Sequence, residues 1–274
     1  MSSILSNSSA MTALQTLKSV NKGLNETQSR VSTGLAISSG KDNAAYFAIS
    51  ETMKGDSGMF KAINEGLTST KNSVSTARLG AETVQGLAQD FSERVAFAQG
   101  SGVDLSQVQD ELDSLVDQMT AAIGQSTFNG EDLVSGAAAT QTVVTGVSRT
   151  GGTFATTTMS FDSVNLTAIA TALDGIDLTT STDLAADLAT AETQLGNAIT
   201  AATSLGVAEK AIEGQQDFLG ALTDTIDQGV SSMVDADMEQ EAARMQALQV
   251  QQQLATQSLS IANSQPQSLL SLFR

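Results

Sequence analysis

Apolar residues recur at alternating spacings of three and four through both terminal thirds of the chain, and Pro266 is the only proline among 274 residues. That rhythm places side chains on one stripe of an α-helix. With no proline before position 266, little in the sequence forces a helix to stop. Long helices packed side by side are the expected framework. Leu14, Leu17, Leu24, Val31 and Leu35 form the first stripe, a heptad seam interrupted by Asn21 and Gln28. Gly34 and the Ser38-Ser39-Gly40 run break it, and Asp42-Asn43 can cap the next helix. From Ile49 through Met53, Phe60, Leu67, Val74, Ala81, Ala88 and Phe91 to Ala98 the rhythm predicts a helix of roughly 56 residues, about 84 Å long. Asp104 can cap a third helix with Leu105, Val108, Leu112, Leu115, Met119 and Ala122 on its seam, ending near Ser126-Thr-Phe-Asn-Gly130. The short connection favours an antiparallel pair.

Residues 131–185 change character. Val143-Val144, Phe154, Met159 and Phe161 sit among Thr, Ser and Gly, which predicts a few short strands or a loop-rich insert tolerant of short deletions between 140 and 180. Helical rhythm resumes at Leu188 and is expected to continue through Ile212, Val230, Met238, Met245, Leu248 and Leu259 until Pro266 closes it. The predicted fold is mainly α: an antiparallel bundle of long, coiled-coil-like helices from the N- and C-terminal thirds, with a small β-rich central insert.

Composition removes several function classes. The chain has no His and no Cys, so the usual neutral-pH base, thiol nucleophile, disulfide and ordinary zinc site are unavailable. A net charge of −17 opposes nucleic-acid binding. Residues 1–41 carry +3 and residues 235–274 carry −2, so the two ends attract weakly. Charged residues make up only 16% of the chain, and an uncharged polar surface is easier to bury against a neighbour. No run of apolar residues is long enough to span a membrane. The N-terminal Met-Ser-Ser-Ile-Leu-Ser-Asn has no basic or apolar region of the secretory type, so export would need another route.

Few residues look like a chemical site. Asp235, Asp237, Glu239 and Glu241 alternate like calcium ligands, but Gln240 and Gln246 occupy positions where an EF-hand loop needs Gly and a bidentate acid. The same acids suit a helix start. Lys41-Asp42 has no nucleophile or oxyanion loop beside it, and Gly151-Gly152 fits no phosphate loop. No cofactor, metal or catalytic residue is expected.

Separated segments carry a family resemblance: Asn7-Ser-Ser-Ala-Met-Thr-Ala-Leu14, Arg30-Val-Ser-Thr-Gly-Leu35, Gly40-Lys-Asp-Asn-Ala-Ala45, Thr127-Phe-Asn-Gly130, and the run from Ala262 through Asn-Ser-Gln-Pro-Gln-Ser to Leu269-Leu270-Ser-Leu272-Phe273-Arg274. In this order they resemble bacterial flagellin, the flagellar filament subunit. The resemblance covers both terminal thirds; the chain is short for that family, as though large outer domains were missing. It implies that residues 1–40 and 235–274 form an inner coiled-coil polymerisation domain, 41–130 and 186–234 a helical rod domain, and 131–185 a small outward β and loop-rich element. Subunit-packing seams would lie on Leu14, Leu17, Leu24, Val31 and Leu35 of the N arm. On the C arm they would lie on Met238, Met245, Leu248, Leu259, Leu269, Leu270, Leu272 and Phe273.

The resemblance further implies a non-catalytic, self-assembling motility protein in the extracellular flagellum, forming a homopolymer that can include other flagellins. Its implied partners are the type III flagellar export apparatus, an export chaperone, and the cap and hook-junction proteins, with no nucleic acid and no membrane insertion. Two alternatives fit the same ends: a hook–filament junction protein, and a secreted adhesin or immune ligand. A protease-like outer insert is disfavoured, because those use a His-containing zinc motif. Where flagellins sensed by the vertebrate receptor carry an Arg-Glu-Leu-Ala-like run, this chain reads Phe91-Ser-Glu-Arg-Val-Ala96.

Overall fold

The computed structural model describes residues 7–150 and 153–272, with side chains described for all of these except 150, 153–154 and 265–272. The described elements are α1 (Ser8–Thr33), α2 (Ala44–Ala98), α3 (Leu105–Gln125), β1 (Thr127–Phe128), β2 (Glu131–Asp132), β3 (Thr140–Thr150), β4 (Thr153–Asp162), α4 (Leu166–Asp174), α5 (Leu184–Val234) and α6 (Met238–Leu272). The fold is mainly α with small antiparallel β pairs, as the periodicity predicts. Packing divides the chain into two units, one of Met1–Ser57 with Thr225–Arg274 and one of Gly58–Asp224. No helix among the described residues is long and apolar enough to cross a membrane.

The Gly58–Asp224 unit has a closed core. Along α2 the expected stripe is buried at Leu67, Val74, Ala77, Ala81, Val84, Ala88, Phe91, Val95 and Ala98. It meets Val108, Leu112, Val116, Met119 and Ile123 of α3 and Ala191, Ala198, Leu205 and Ile212 of α5. Both partners run antiparallel to α2: positions 80 and 94 meet 126 and 111 around α3, and Lys71 and Arg78 meet Glu213 and Glu209 on α5. Arg94 Nε reaches Glu111 at 3.2 Å on α3, and Lys71 Nζ reaches Glu213 at 2.7 Å on α5. Gly80 lets the end of α3 come close: a Cβ placed there would lie 2.6 Å from the Ser126 Cβ. The Thr127-Phe-Asn-Gly130 motif proves to be a two-residue hairpin turn, with Asn129 at φ 51° and Gly130 at φ 83°. Such mirror-image turns match the strand twist and favour Asn-Gly.

Two expectations change here. The α3 seam is buried at Val116 and Ile123, whereas Leu115 and Ala122 are not. A 3.6-residue turn carries a strict heptad pattern around the helix, so the buried face drifts. Residues 166–174, expected within the loop-rich insert, form α4. Asn165 caps it by accepting from the Ala168 N–H at 2.9 Å. Leu166, Leu173 and the following Leu178 are fully buried, so this segment belongs to the core. The β3–β4 hairpin before it carries the Thr-rich surface, with a bulge between Val144 and Gly146.

The other unit consists of α1, the start of α2, the end of α5, and α6. The helices α2 and α5 meet within it, where the Ser57 hydroxyl donates to Asp227 at 2.7 Å and the Met53 Cε lies 3.0 Å from where a Cβ on Gly229 would sit. Tyr46, the single tyrosine, is exposed near the start of α2. Asn43 caps this helix through bonds from the Ala45 and Tyr46 N–H groups. The C-terminal rhythm does not run unbroken. It stops at residues 235–237 and restarts as α6, and Pro266 lies inside α6 rather than closing it.

Candidate assembly interface

The chain ends meet as an antiparallel helix pair, α1 with α6. Asn7 opens α1, its Oδ1 accepting from the Ala10 N–H at 3.0 Å, one of the donors a helix start leaves open. Gly34 closes α1 by donating its N–H to the Arg30 carbonyl. At α6, Asp237 Oδ1 accepts from the Glu239 and Gln240 N–H groups at 3.0 and 3.1 Å. Glu239 and Glu241 fall in its first turn, where carboxylates complement the helix dipole. The acidic run thus opens and caps α6.

The connections are tied as well. Residues 34–36 and 234–236 lie side by side, the Ala36 N–H donating to the Val234 carbonyl at 2.7 Å and the Ala236 N–H to the Gly34 carbonyl at 2.8 Å. One oxygen of Asp42 accepts from the backbone and hydroxyl groups of both Ser38 and Ser39. These bonds, that of the Ser39 hydroxyl foremost, hold the Asp42 carboxyl below its usual range.

Along α6 the inner face is Glu241, Met245, Leu248, Gln252, Ala255, Leu259 and Ala262, an unbroken heptad alternation in which every side chain is buried or half-buried. Facing it on α1 are Ala13, Leu17, Val20, Leu24, Thr27 and Val31. Polar rungs cross this seam. Gln252 Nε2 donates to Asn21 Oδ1 at 2.6 Å, and Asn7 Nδ2 donates to the Ala262 carbonyl at 2.8 Å. Arg30 Nε lies 3.0 Å from Glu241 Oε1 with both side chains largely shielded. The N–H is not aimed at that oxygen, for Arg30 Nε and Glu241 Oε2 are both buried without a hydrogen bond. It is an ion pair by distance alone. Buried polar pairs in a heptad seam set register at some loss of stability.

Two helices cannot close a core by themselves. Leu17, Leu24, Val31, Leu35, Met245, Leu248 and Leu259 are half-buried, and Leu14 and Met238 are exposed. The side chains of Leu269, Leu270 and Leu272, and Phe273 altogether, lie outside the described residues. The N-arm stripe is rotated from its expected place: Val20 and Thr27 take the buried positions that the spacing assigns to Asn21 and Gln28. A second stripe on α6 escaped the sequence reading. Ala243, Ala247, Val250, Leu254 and Ile261 also follow three–four spacing, and the last three are 56, 64 and 59% exposed. Val250 sits about 200° around the helix from Leu248, so α6 is apolar on opposite faces. A helix with that pattern is normally enclosed on both sides.

Comparison with known proteins bears directly on this architecture. Residues 4–139 match the family model for the bacterial flagellin N-terminal helical region, and residues 188–273 match that for the C-terminal helical region. The chain belongs to the flagellin family. It is 39% identical to a flagellin of Brucella melitensis biotype 1 over 281 residues, covering 100% of both chains. Similarity to Flagellin C of Rhizobium meliloti is 32% with both chains fully covered, and to Flagellin FljM of Caulobacter vibrioides 31% with 100% and 99% covered. This flagellin is a structural subunit of the bacterial flagellar filament, and its family is one of structural proteins.

Proposed function

We propose that this flagellin polymerises through α1 and α6. Residues 1–40 and 235–274 form the inner polymerisation domain, 41–130 and 186–234 a surrounding rod, and 131–185 an outward element. One observation carries the reading: the large side chains that are fully buried lie in one unit, while the seam of the other stays half-covered. The largest fully buried side chains, Phe91, Leu67 and Leu112 among them, all belong to residues 58–224. The α1–α6 pair keeps large apolar groups half-covered, and α6 turns Val250, Leu254 and Ile261 to solvent. Neighbouring copies would enclose that surface, together with the seam residues Leu14, Leu17, Leu24, Val31, Leu35, Met238, Met245, Leu248 and Leu259 and the terminal Leu269, Leu270, Leu272 and Phe273. Burial deferred to assembly offsets the entropy of ordering two helical arms.

The role is mechanical and needs no catalysis. Export through the flagellar apparatus, a holding chaperone, and the cap and hook-junction proteins complete the proposed partners, with the extracellular filament as destination. Full-length similarity to proteins named flagellin favours the filament over a junction protein or adhesin.

The test is the triple variant Val250→Ser, Leu254→Ser, Ile261→Ser. Exposed substitutions shift stability by about 0.5 kcal/mol or less, so the melting curve of the monomer should hardly move. Burial of each residue between copies is worth about 1.5 to 3 kcal/mol, so filaments should be absent by electron microscopy at concentrations where wild type polymerises. Normal filaments from the variant would refute the reading.

A further inference from the structure

Pro266 and Asn7 lie at opposite ends of the chain and solve one problem together. Proline has no N–H, so in a helix the carbonyl four residues earlier loses its partner. In α6 that carbonyl belongs to Ala262, and it accepts from Asn7 Nδ2 at 2.8 Å. The same Asn7 side chain caps α1 through Oδ1. Only one orientation of the amide serves both bonds, with the oxygen toward the Ala10 N–H and the nitrogen toward the carbonyl.

We propose that Asn7 is a positioning residue for assembly, selecting the register of the α1–α6 pair by reading the carbonyl that Pro266 frees. The apolar positions of a heptad seam do little by themselves to resist a slip of one heptad, because Leu, Met and Ala recur at equivalent places. A slip of seven residues toward the start of α6 would bring Asn7 to Ala255, whose carbonyl is committed to the helix ladder. Pro266 is the chain's sole proline, so its sequence frees no second carbonyl inside α6. The observed register is the one that also pairs Asn21 with Gln252 and Arg30 with Glu241. The inference rests on α1–α6 being the polymerising element.

The test combines Asn7→Ser with Pro266→Ala in the full chain. Serine keeps the N-cap but is too short to reach Ala262. Alanine at 266 restores an N–H for the carbonyl, which makes Asn7 dispensable there. The readout is the critical concentration for polymerisation, with circular dichroism of each monomer confirming an intact fold. Asn7→Ser should raise it at least fivefold in the wild-type background and less than twofold in the Pro266→Ala background, while Pro266→Ala alone, which removes the mark that Asn7 reads, should also raise it. Equal effects of Asn7→Ser in both backgrounds, no effect of it in wild type, or an unchanged critical concentration for Pro266→Ala would each overturn the proposal. Failure of wild type itself to polymerise would instead strike the assembly reading beneath it.

Discussion

At the scale of single residues, Gly80 shows two effects opposing each other with similar size. Alanine in a helix interior gains about 1 kcal/mol over glycine. At this position its Cβ would run into the Ser126 Oγ and lie 2.6 Å from the Ser126 Cβ, and overpacking costs about 1 to 3 kcal/mol. Gly80→Ala should therefore be neutral to destabilising by up to about 2 kcal/mol. In a Ser126→Gly background the obstacle is gone, and the same change should stabilise by about 1 kcal/mol. Denaturant melts of the four proteins check this; stabilisation by Gly80→Ala alone would show that the helix ends separate freely. The residue scale is also where sequence reading slipped on α1. Both 14/21/28 and 13/20/27 complete a seam with Leu17, Leu24 and Val31, and size favours Leu14 over Ala13. Packing chose the smaller side, where α6 comes close enough for Leu248 Cδ2 to lie 3.5 Å from a Cβ built on Gly23.

At the scale of elements, the middle of the chain divides sharply. The β3–β4 hairpin can lose two facing residues from each strand, Ser148 and Arg149 with Phe154 and Ala155, and keep its face alternation, because a shift of two preserves the pleat. That deletion should leave filaments intact. Leu173→Ala in α4, only eleven residues beyond the hairpin, should cost about 2 to 5 kcal/mol because the side chain is fully buried. Urea melts separate the cases, and equal stability of the two variants would contradict the core assignment of α4. The long elements were legible because many turns of one stripe are unambiguous: on α2 the expected positions from Leu67 to Ala98 are buried. The nine residues of α4 are shorter than the window over which periodicity can be judged, although Asn165 is a fair capping signal. Pro266 misled for a physical reason: proline ends a helix when the freed carbonyl has no other donor, and here Asn7 supplies one. The polar rungs were visible as interruptions, yet spacing alone does not reveal which residue answers which across the pair.

At the scale of the whole molecule, unequal burial implies unequal stability. Regions with few closed apolar contacts open at lower free energy than the core. In dilute monomer the amides of α1 and α6 should exchange with deuterium many-fold faster than those of α2 between Val74 and Val95, and in the filament the difference should shrink. Equal protection of all these helices in monomer would mean that the arms are self-sufficient. The single tyrosine adds an optical consequence. The chain has no tryptophan, and Tyr46 falls in the Met1–Ser57 segment, so its tyrosine emission originates in the less enclosed unit alone. Light from this protein is a built-in gauge of whether its ends have been gathered in, with the well-packed unit contributing almost no background.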